Sequence, residues 1–492
     1  MKAVAFALLG FTRVALAAEP LTVELVDAPS NQRVHLERLG INANYLLDAE
    51  AVNPPNGRPL AEALREMGVR WIRYPGGEKS DNYLWATPPG FSRPAARPAT
   101  TGPWDWPAMD TRRFTHPDRR TFRNPVLEFD AFIHLCRQIG ARPIVVVNHD
   151  SVVPSGGAPG KHESLPRDLL VRNAASWVAY ARRKGYAVRN WEVGNESYFN
   201  DRIPARTYAR NLREFASAMR RADPLIRIGA NTPDWPNLAG KPDRSPWLET
   251  LLRHARGSFD FLSMHIYPCY RWMSYRAYAH RLPDIDAHID ETRRALAKWG
   301  GPNAASTPIA LTETNSADWF GHPRQSGWKH RSNIGHGLVL FDLLGTALRR
   351  NDLEMVLVWN TRWLNNARNP ELWDALDAKN NLLPTGRAMA LWARHAQPLW
   401  LDARAPDSLR VFATTNANRT RLTVFILTRG SRTQHVVLDN PIRGEWHWTL
   451  RQWRGRSPND PKPRWTPTPT PVDLTRPVRV HPYTLLVLEA RR

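Results

Sequence analysis

Cysteine is nearly absent. Only Cys136 and Cys269 occur in 492 residues. A lone pair in so long a chain is no disulfide framework, and both are expected to be free thiols. Cys136 falls on a predicted helix and Cys269 just after a predicted strand. No CxxC, no HExxH and no acidic calcium-type loop occurs, so no metal site is argued. No glycine-rich phosphate loop follows the first strand of the alternating region, which counts against a dinucleotide-binding fold. Beyond the N-terminus no apolar run is long enough to span a bilayer. No nucleic-acid module signature and no solenoid-type repeat is present.

Positive charge, by contrast, is abundant: 68 Lys and Arg against 46 Asp and Glu give a net charge of +22. Such a balance attracts nucleic acid, anionic lipid or an acidic glycan. The arginines are scattered rather than clustered, so the excess is read as compositional, with neither a nucleic acid nor a membrane as partner. A hydrophobic fraction of 42% supports a sizeable core, and the length suits two domains. Nothing in the sequence sets the oligomeric state. Residues 1–17 resemble an export signal: Lys2 is the positive start, Val4 to Phe11 the apolar segment, and Ala15-Leu16-Ala17 the cleavage site. A secreted or periplasmic location is expected on that pattern.

From Leu39 the chain alternates strand and helix. Predicted strands run over 39–46, 69–74, 143–148, 188–196, 226–231, 259–267, 309–313 and 353–359. Predicted helices run over 60–67, 128–139, 169–184, 206–222, 247–255, 285–299, 333–350 and 385–395. Eight such units predict a closed (β/α)8 barrel, an α/β TIM-barrel fold, over residues 39–397. The Val-rich third strand suits a strand buried on both faces. After Leu399 the helical period vanishes, and short strands at 409–414, 422–427, 433–438, 446–453 and 484–488 predict a C-terminal β-sandwich over 398–492. Residues 18–38 carry an alternating strand at Leu21–Val26 with no partner in the barrel, and it is expected to join the sandwich. A long loop, Glu78 to about Pro125, interrupts the alternation and reads as functional.

Two of the strands end in a carboxylate. Asn190-Trp191-Glu192-Val193-Gly194-Asn195-Glu196 closes the fourth, and Pro308-Ile309-Ala310-Leu311-Thr312-Glu313-Thr314-Asn315 closes the seventh. Active sites of such barrels collect at the C-terminal ends of the strands. Two carboxyl groups about 5 Å apart suit retaining hydrolysis of a glycosidic bond, one as acid/base and the other as nucleophile. Glu196 suits the first role and Glu313 the second. The sequence expects a raised pKa for Glu196 and a low one for Glu313.

Trp191 to Glu196, with Glu313 on the seventh strand, resembles the clan A retaining glycoside hydrolases. Arg73-Tyr74-Pro75-Gly76-Gly77 followed by Tyr83-Leu84-Trp85 resembles the α-L-arabinofuranosidases of that clan, and Ser263-Met264-His265-Ile266-Tyr267 is similar to their sixth strand. The resemblance implies Asn195 as the contact to the sugar 2-hydroxyl, Tyr267 as a hydrogen-bond donor to the nucleophile, and His265 as a residue lining the site. It implies a polysaccharide or oligosaccharide substrate and no cofactor. Departures exist. The first strand reads Gly40-Ile41-Asn42-Ala43-Asn44 where those enzymes carry a sugar-binding Glu. Glu78 follows Pro-Gly-Gly where they carry Asn. Thr312-Glu313-Thr314-Asn315-Ser316 looks more like the heparanase and β-glucuronidase family of the same clan.

Supporting residues follow from position. Arg73, ending the second strand, pairs with Glu313 on this reading. Asn44, within the first strand, and Asn148, ending the third, are substrate-binding candidates, although an Asn at the second position also caps turns. Trp359 ends the eighth strand as a stacking platform or as core. Glu192 reads as a buried, paired structural carboxylate. Trp85, Trp104, Trp106, Trp319 and Trp328 fall in predicted loops and suit a carbohydrate surface. Two alternatives stay open at this stage: a β-glucuronidase-like or endo-acting glycanase on an acidic glycan, and a non-catalytic carbohydrate-binding protein.

Overall fold

An inward and an outward row of side chains on each strand of a barrel, with an apolar stripe on each following helix, is enough to build the architecture seen here. The computed structural model describes residues 19–27, 31–99, 114–116, 121–153, 164–199, 203–233, 246–267, 275, 278, 285–302, 304–316, 331–363, 373–442 and 444–492. The export-type segment, Trp104, Trp106, Trp319, Trp328 and Cys269 lie outside the described residues. Cys136 is a buried free thiol.

In chain order the elements are β1 (Leu21–Leu25), β2 (Leu39–Asn42), α1 (Leu60–Glu66), β3 (Trp71–Tyr74), β4 (Tyr83–Leu84), β5 (Arg97–Pro98), α2 (Phe129–Ile139), β6 (Arg142–Val147), α3 (Arg167–Arg183), β7 (Asn190–Val193), α4 (Ala205–Ala222), β8 (Arg227–Thr232), α5 (Trp247–His254), β9 (Phe261–Ile266), α6 (Ile285–Trp299), β10 (Ile309–Thr314), α7 (Ile334–Arg349), β11 (Leu353–Val358) and α8 (Pro384–His395). Eight of the strands close into a barrel in the order β10-β11-β2-β3-β6-β7-β8-β9. Every neighbouring pair is parallel.

Alternation sorts the strand residues. Ile72, Val145, Trp191, Leu262 and Leu311 join the cluster under the helices. Trp71, Ile144, Phe261, Ala310, Met355 and Leu357 form a separate plug, which fills the lumen below the site. Rows rising from this plug place Arg73 above Trp71 and His265 above Phe261 and Ser263. On the outside, α2 turns Phe129, Phe132, Ile133, Cys136 and Ile139 toward the barrel, the spacing of an apolar helix stripe.

The chain continues as β12 (Leu399–Leu401), β13 (Ala403–Arg404), β14 (Leu409–Thr415), β15 (Arg421–Thr428), β16 (Gln434–Asp439), β17 (His447–Arg454), β18 (Arg464–Trp465), β19 (Thr470–Pro471), β20 (Val478–Val480) and β21 (Thr484–Arg491). A seven-stranded sheet faces a four-stranded sheet of order β13-β1-β16-β20. The N-terminal β1 lies parallel to β16 and antiparallel to β13. Val424, Ile426, Leu486 and Leu488 face the smaller sheet. The alternate residues Phe425, Leu427, Leu485 and Val487 face the barrel. Helix α7 is buried from Ile334 to Leu348 between the barrel and the seven-stranded sheet. Phe341 stacks on Trp392 of α8 at 4.7 Å, and both meet Phe425.

Among the described residues, no helix is long and apolar enough to cross a membrane. The loop expected from Glu78 to Pro125 begins with a short 3-10 turn, Gly77–Asn82. The paired strands β4 and β5 follow it.

Candidate active site

Arg73 is the hub. Its side chain is fully buried, and each of its five N–H groups has a partner. Nε donates to Glu192 Oε2 at 2.8 Å, and Nη2 donates to Glu192 Oε1 at 3.0 Å and to Asn195 Oδ1 at 2.8 Å. Nη1 donates to Asn42 Oδ1 at 3.0 Å and to Glu313 Oε1 at 2.7 Å. Burial opposes the cation, but Glu192 and then Glu313 hold the guanidinium above its ordinary pKa. The fork thus ties β2, β3, β7 and β10 together at one level. Glu192 accepts a further bond from Ser263 Oγ. A buried ion pair of this kind stands only when its remaining polar atoms are satisfied.

Glu313 reaches the lumen through an irregularity. Ala310 joins the plug, so strict alternation would turn Thr312 inward and Glu313 outward. A register shift after Leu311 instead sets Glu313 opposite His265. Such a bulge re-aims a side chain. Oε2 of Glu313 accepts from the Tyr267 hydroxyl at 2.8 Å.

Glu196 lies beyond the end of β7. The strand was expected to run through Glu196 but stops at Val193, because Gly194 takes φ 75° and Glu196 φ 48°. A Cβ on Gly194 would come within 2.6 Å of Ser197 Oγ. Left-handed backbone at a non-glycine residue costs on the order of 1 kcal/mol and is kept where surrounding bonds enforce it. Here Asn195 N–H donates to Asp150 Oδ2 at 3.0 Å, Ser197 N–H to Asn231 Oδ1 at 3.1 Å, and Phe199 N–H to the Glu196 carbonyl at 2.7 Å.

The two carboxyls then meet. Glu196, His265 and Glu313 each present a ligating atom within 4.8 Å of the others. His265 Nδ1 lies 2.8 Å from Glu196 Oε1 and 3.5 Å from Glu313 Oε2. Burial raises the Glu196 carboxyl to about 7, against the pull of Arg73. Burial likewise lowers the His265 imidazole to about 4, so it is neutral at pH 7. Burial also holds Glu313 above the ordinary carboxylate range, opposed by His265 and Arg73 and reinforced by Glu196. The low pKa expected for Glu313 is therefore not found: the same enclosure raises both carboxyls. The same three residues are spaced to hold an ion, but the Arg73 guanidinium on Glu313 opposes a second cation there.

The other sequence candidates separate into two groups. Asn195, His265, Tyr267 and Arg73 converge on the carboxyl pair. Trp359 is buried beside them: a Cβ at Gly77, where φ is 48°, would sit 2.2 Å from Trp359 Cη2 and 3.1 Å from Glu313 Oε1. Asn148 and Asn44 are taken up by loop bonds. The Asn148 amide donates to the Asp81 and Tyr83 carbonyls and to Ser151 Oγ. The Asn44 amide donates to the Arg362 carbonyl, and its oxygen accepts from Leu46 N–H. Trp85 is a core residue stacked on Trp177 at 6.0 Å, not part of a carbohydrate surface. Sequence reasoning missed Asn42, Asp150 and Lys79. The polar run Asn148-His149-Asp150 at a strand end was a usable signal for Asp150; a lysine in a loop gave none.

Residues 63–281 match the family model for the alpha-L-arabinofuranosidase 1 domain. An alpha-L-arabinofuranosidase C of Emericella nidulans is 27% identical over 251 residues, 48% of this chain and 43% of that protein. An intracellular exo-alpha-(1->5)-L-arabinofuranosidase of Streptomyces lividans is 25% identical over 234 residues, 45% of this chain and 30% of that protein. The matches thus span less than half the length of these curated relatives. The arabinose complex of the Thermotoga maritima alpha-L-arabinofuranosidase superposes with a TM-score of 0.67 at 16% identity, covering 96% of this chain and all of that one. A Paenibacillus polymyxa xyloglucanase superposes at 0.61 and 13% identity over 96% of this chain. Likeness at such identity shows the fold. The resemblance of this chain to the arabinofuranosidase-type clan A glycoside hydrolases is thus established over residues 63–281, which hold Arg73, Glu192, Glu196, His265 and Tyr267, and its barrel-and-sandwich fold over nearly the whole length.

Proposed function

We propose that the protein is a retaining α-L-arabinofuranosidase acting on a polysaccharide or oligosaccharide. One observation carries this reading: Glu196 and Glu313, from the fourth and seventh barrel strands, bring carboxyl oxygens within 4.8 Å of each other. That is near the roughly 5 Å of retaining enzymes and short of the roughly 6.5–9.5 Å that inversion needs for an intervening water. The arabinofuranosidase domain match supports the sugar.

In the first step a Glu313 oxygen forms a bond to the anomeric carbon while the bond to the leaving oxygen breaks, and Glu196 gives that oxygen its proton. In the second, Glu196 takes a proton from water as the water oxygen displaces Glu313. The configuration is restored by two inversions. Arg73 and Tyr267 hold the Glu313 carboxylate in place, and Asn195 meets the 2-hydroxyl. Export rests on residues 1–17 alone; the N-terminal sequence of the mature protein decides it, and a chain starting at Met1 removes it.

Hydrolysis of 4-nitrophenyl α-L-arabinofuranoside, followed by NMR of the first-formed anomer, is the test. Turnover with retained configuration is expected, and Glu313→Ala is expected to lower kcat by at least about 10⁴-fold, the scale seen when a nucleophile is removed. Inverted product, or unimpaired turnover by Glu313→Ala, removes the mechanism. Turnover of a glucuronide but not of the arabinofuranoside removes the sugar assignment.

A further inference from the structure

Lys79 lies two residues beyond Gly77 in the 3-10 turn that follows β3. It is 3% exposed, and its Nζ makes no hydrogen bond among the described residues. Nζ lies 4.4 Å from the ring centroid of Trp359 and 4.2 Å from that of Trp363. These faces attract a cation but offer no lone pair to its three N–H groups. Burial drives the amine down to about 7, against the fields of Glu313, Asp48 and Glu78. An ammonium kept from water without an acceptor is costly, and lysines are seldom buried unless paired. One contact places the group close to Glu313, and two neighbouring side chains also lack partners among the described residues. Trp359 and Glu313 Oε1 both meet at Gly77. Asn360 follows Trp359 and is itself buried, with both amide atoms unpartnered. The Trp359 indole N–H likewise lacks an acceptor.

We propose that Lys79 is a specificity-determining residue whose ammonium donates hydrogen bonds to an oxygen of the sugar bound at Glu313. On the reading of the site as an arabinofuranosidase, on which this rests, the oxygen is a hydroxyl of the furanose. The bound sugar supplies the acceptor that the two indole rings lack. No covalent step passes through the lysine.

The experiment uses the full-length enzyme, 4-nitrophenyl α-L-arabinofuranoside and its 2-, 3- and 5-deoxy analogues. Lys79→Met keeps the length and the apolar stem and removes the donors. Its kcat/KM is expected to fall about tenfold to a hundredfold on the parent glycoside, the scale of a hydrogen bond to a charged group. On the one deoxy analogue that lacks the contacted hydroxyl, it is expected to match wild type. An equal loss on all four glycosides overturns the proposal and leaves Lys79 as a support for Trp359; no loss on any also overturns it. A second measurement avoids the variant. In wild-type enzyme labelled with 15N-lysine, arabinose is expected to shift the Lys79 side-chain resonance, and an unmoved resonance under saturating arabinose counts against the contact. If wild type cleaves none of the four glycosides, it is the arabinofuranosidase reading that fails.

Discussion

Each carboxyl of the pair takes its task from what surrounds it. Glu196 is enclosed and touches a neutral imidazole, whereas Glu313 shares the enclosure but rests on a guanidinium and a phenol. The first therefore favours its protonated form and the second is held closer to ionisation. The sign of the pH dependence follows. On the proposed mechanism hydrolysis needs Glu196 protonated, so kcat/KM is expected to fall as pH rises through about 7. It also needs Glu313 ionised, so the rate falls again in acid, with that limb displaced upward from the usual carboxylate range. Both limbs belong to the pair as a unit. A pH–rate profile of the arabinofuranoside checks this, and Glu196→Gln is expected to abolish the alkaline limb along with most of the rate on poor leaving groups. Among single residues, legibility in the sequence tracked backbone position. Glu196 and Glu313 stood at strand ends, where chemistry collects. Asn148 stood there too and Asn44 close by, yet their amides are consumed by loop carbonyls, a partnership that no one-dimensional spacing reveals. Lys79 was invisible because a loop lysine is ordinarily solvated, and only the two tryptophans folded over it make it otherwise.

At the level of elements, the sequence carried the alternation well because each barrel helix has a one-sided apolar stripe and each strand a buried run. Boundaries moved where backbone geometry, not hydrophobicity, ends the element. The first strand stops at Asn42 rather than Leu46, since the Asn44 side chain and Asp48 fold the next residues into a turn. The bulge in β10 could not be read from residue types at all, though it decides which way Glu313 points. The two-faced strands β15 and β21 lend themselves to a direct test. Phe425 packs against Phe341 and Trp392, while its neighbours Val424 and Ile426 face the smaller sheet. Phe425→Ala is expected to cost about 3–5 kcal/mol of stability, the range for emptying an aromatic core position. Urea unfolding measures it, and kcat per folded molecule at ambient temperature is expected to be unchanged. A cost below about 1 kcal/mol would mean that the sandwich leans on the barrel without bracing it.

Across the whole molecule, the +22 charge gave little guidance. Many arginines are spent on local pairs, such as Arg227 with Glu354 and Arg350 with Asp286, Asp290 and Asp352. The fold class was legible because the barrel and the sandwich use different periodicities. The reach of β1 back to β16 was legible only as a strand left without a partner in the barrel.

The guanidinium of Arg73 joins groups on β2, β3, β7 and β10, strands drawn from both ends of the barrel sequence. On the proposed mechanism, catalytic competence is for that reason a property of the finished ring and of no part of it. A fragment ending at residue 281, however well its helices form, lacks the attacking carboxylate and is expected to be inert towards the arabinofuranoside. In the intact chain, heat should extinguish turnover and the circular-dichroism signal of the barrel together; a catalyst that died well before its barrel opened would mean that the site can come apart while the ring stays shut.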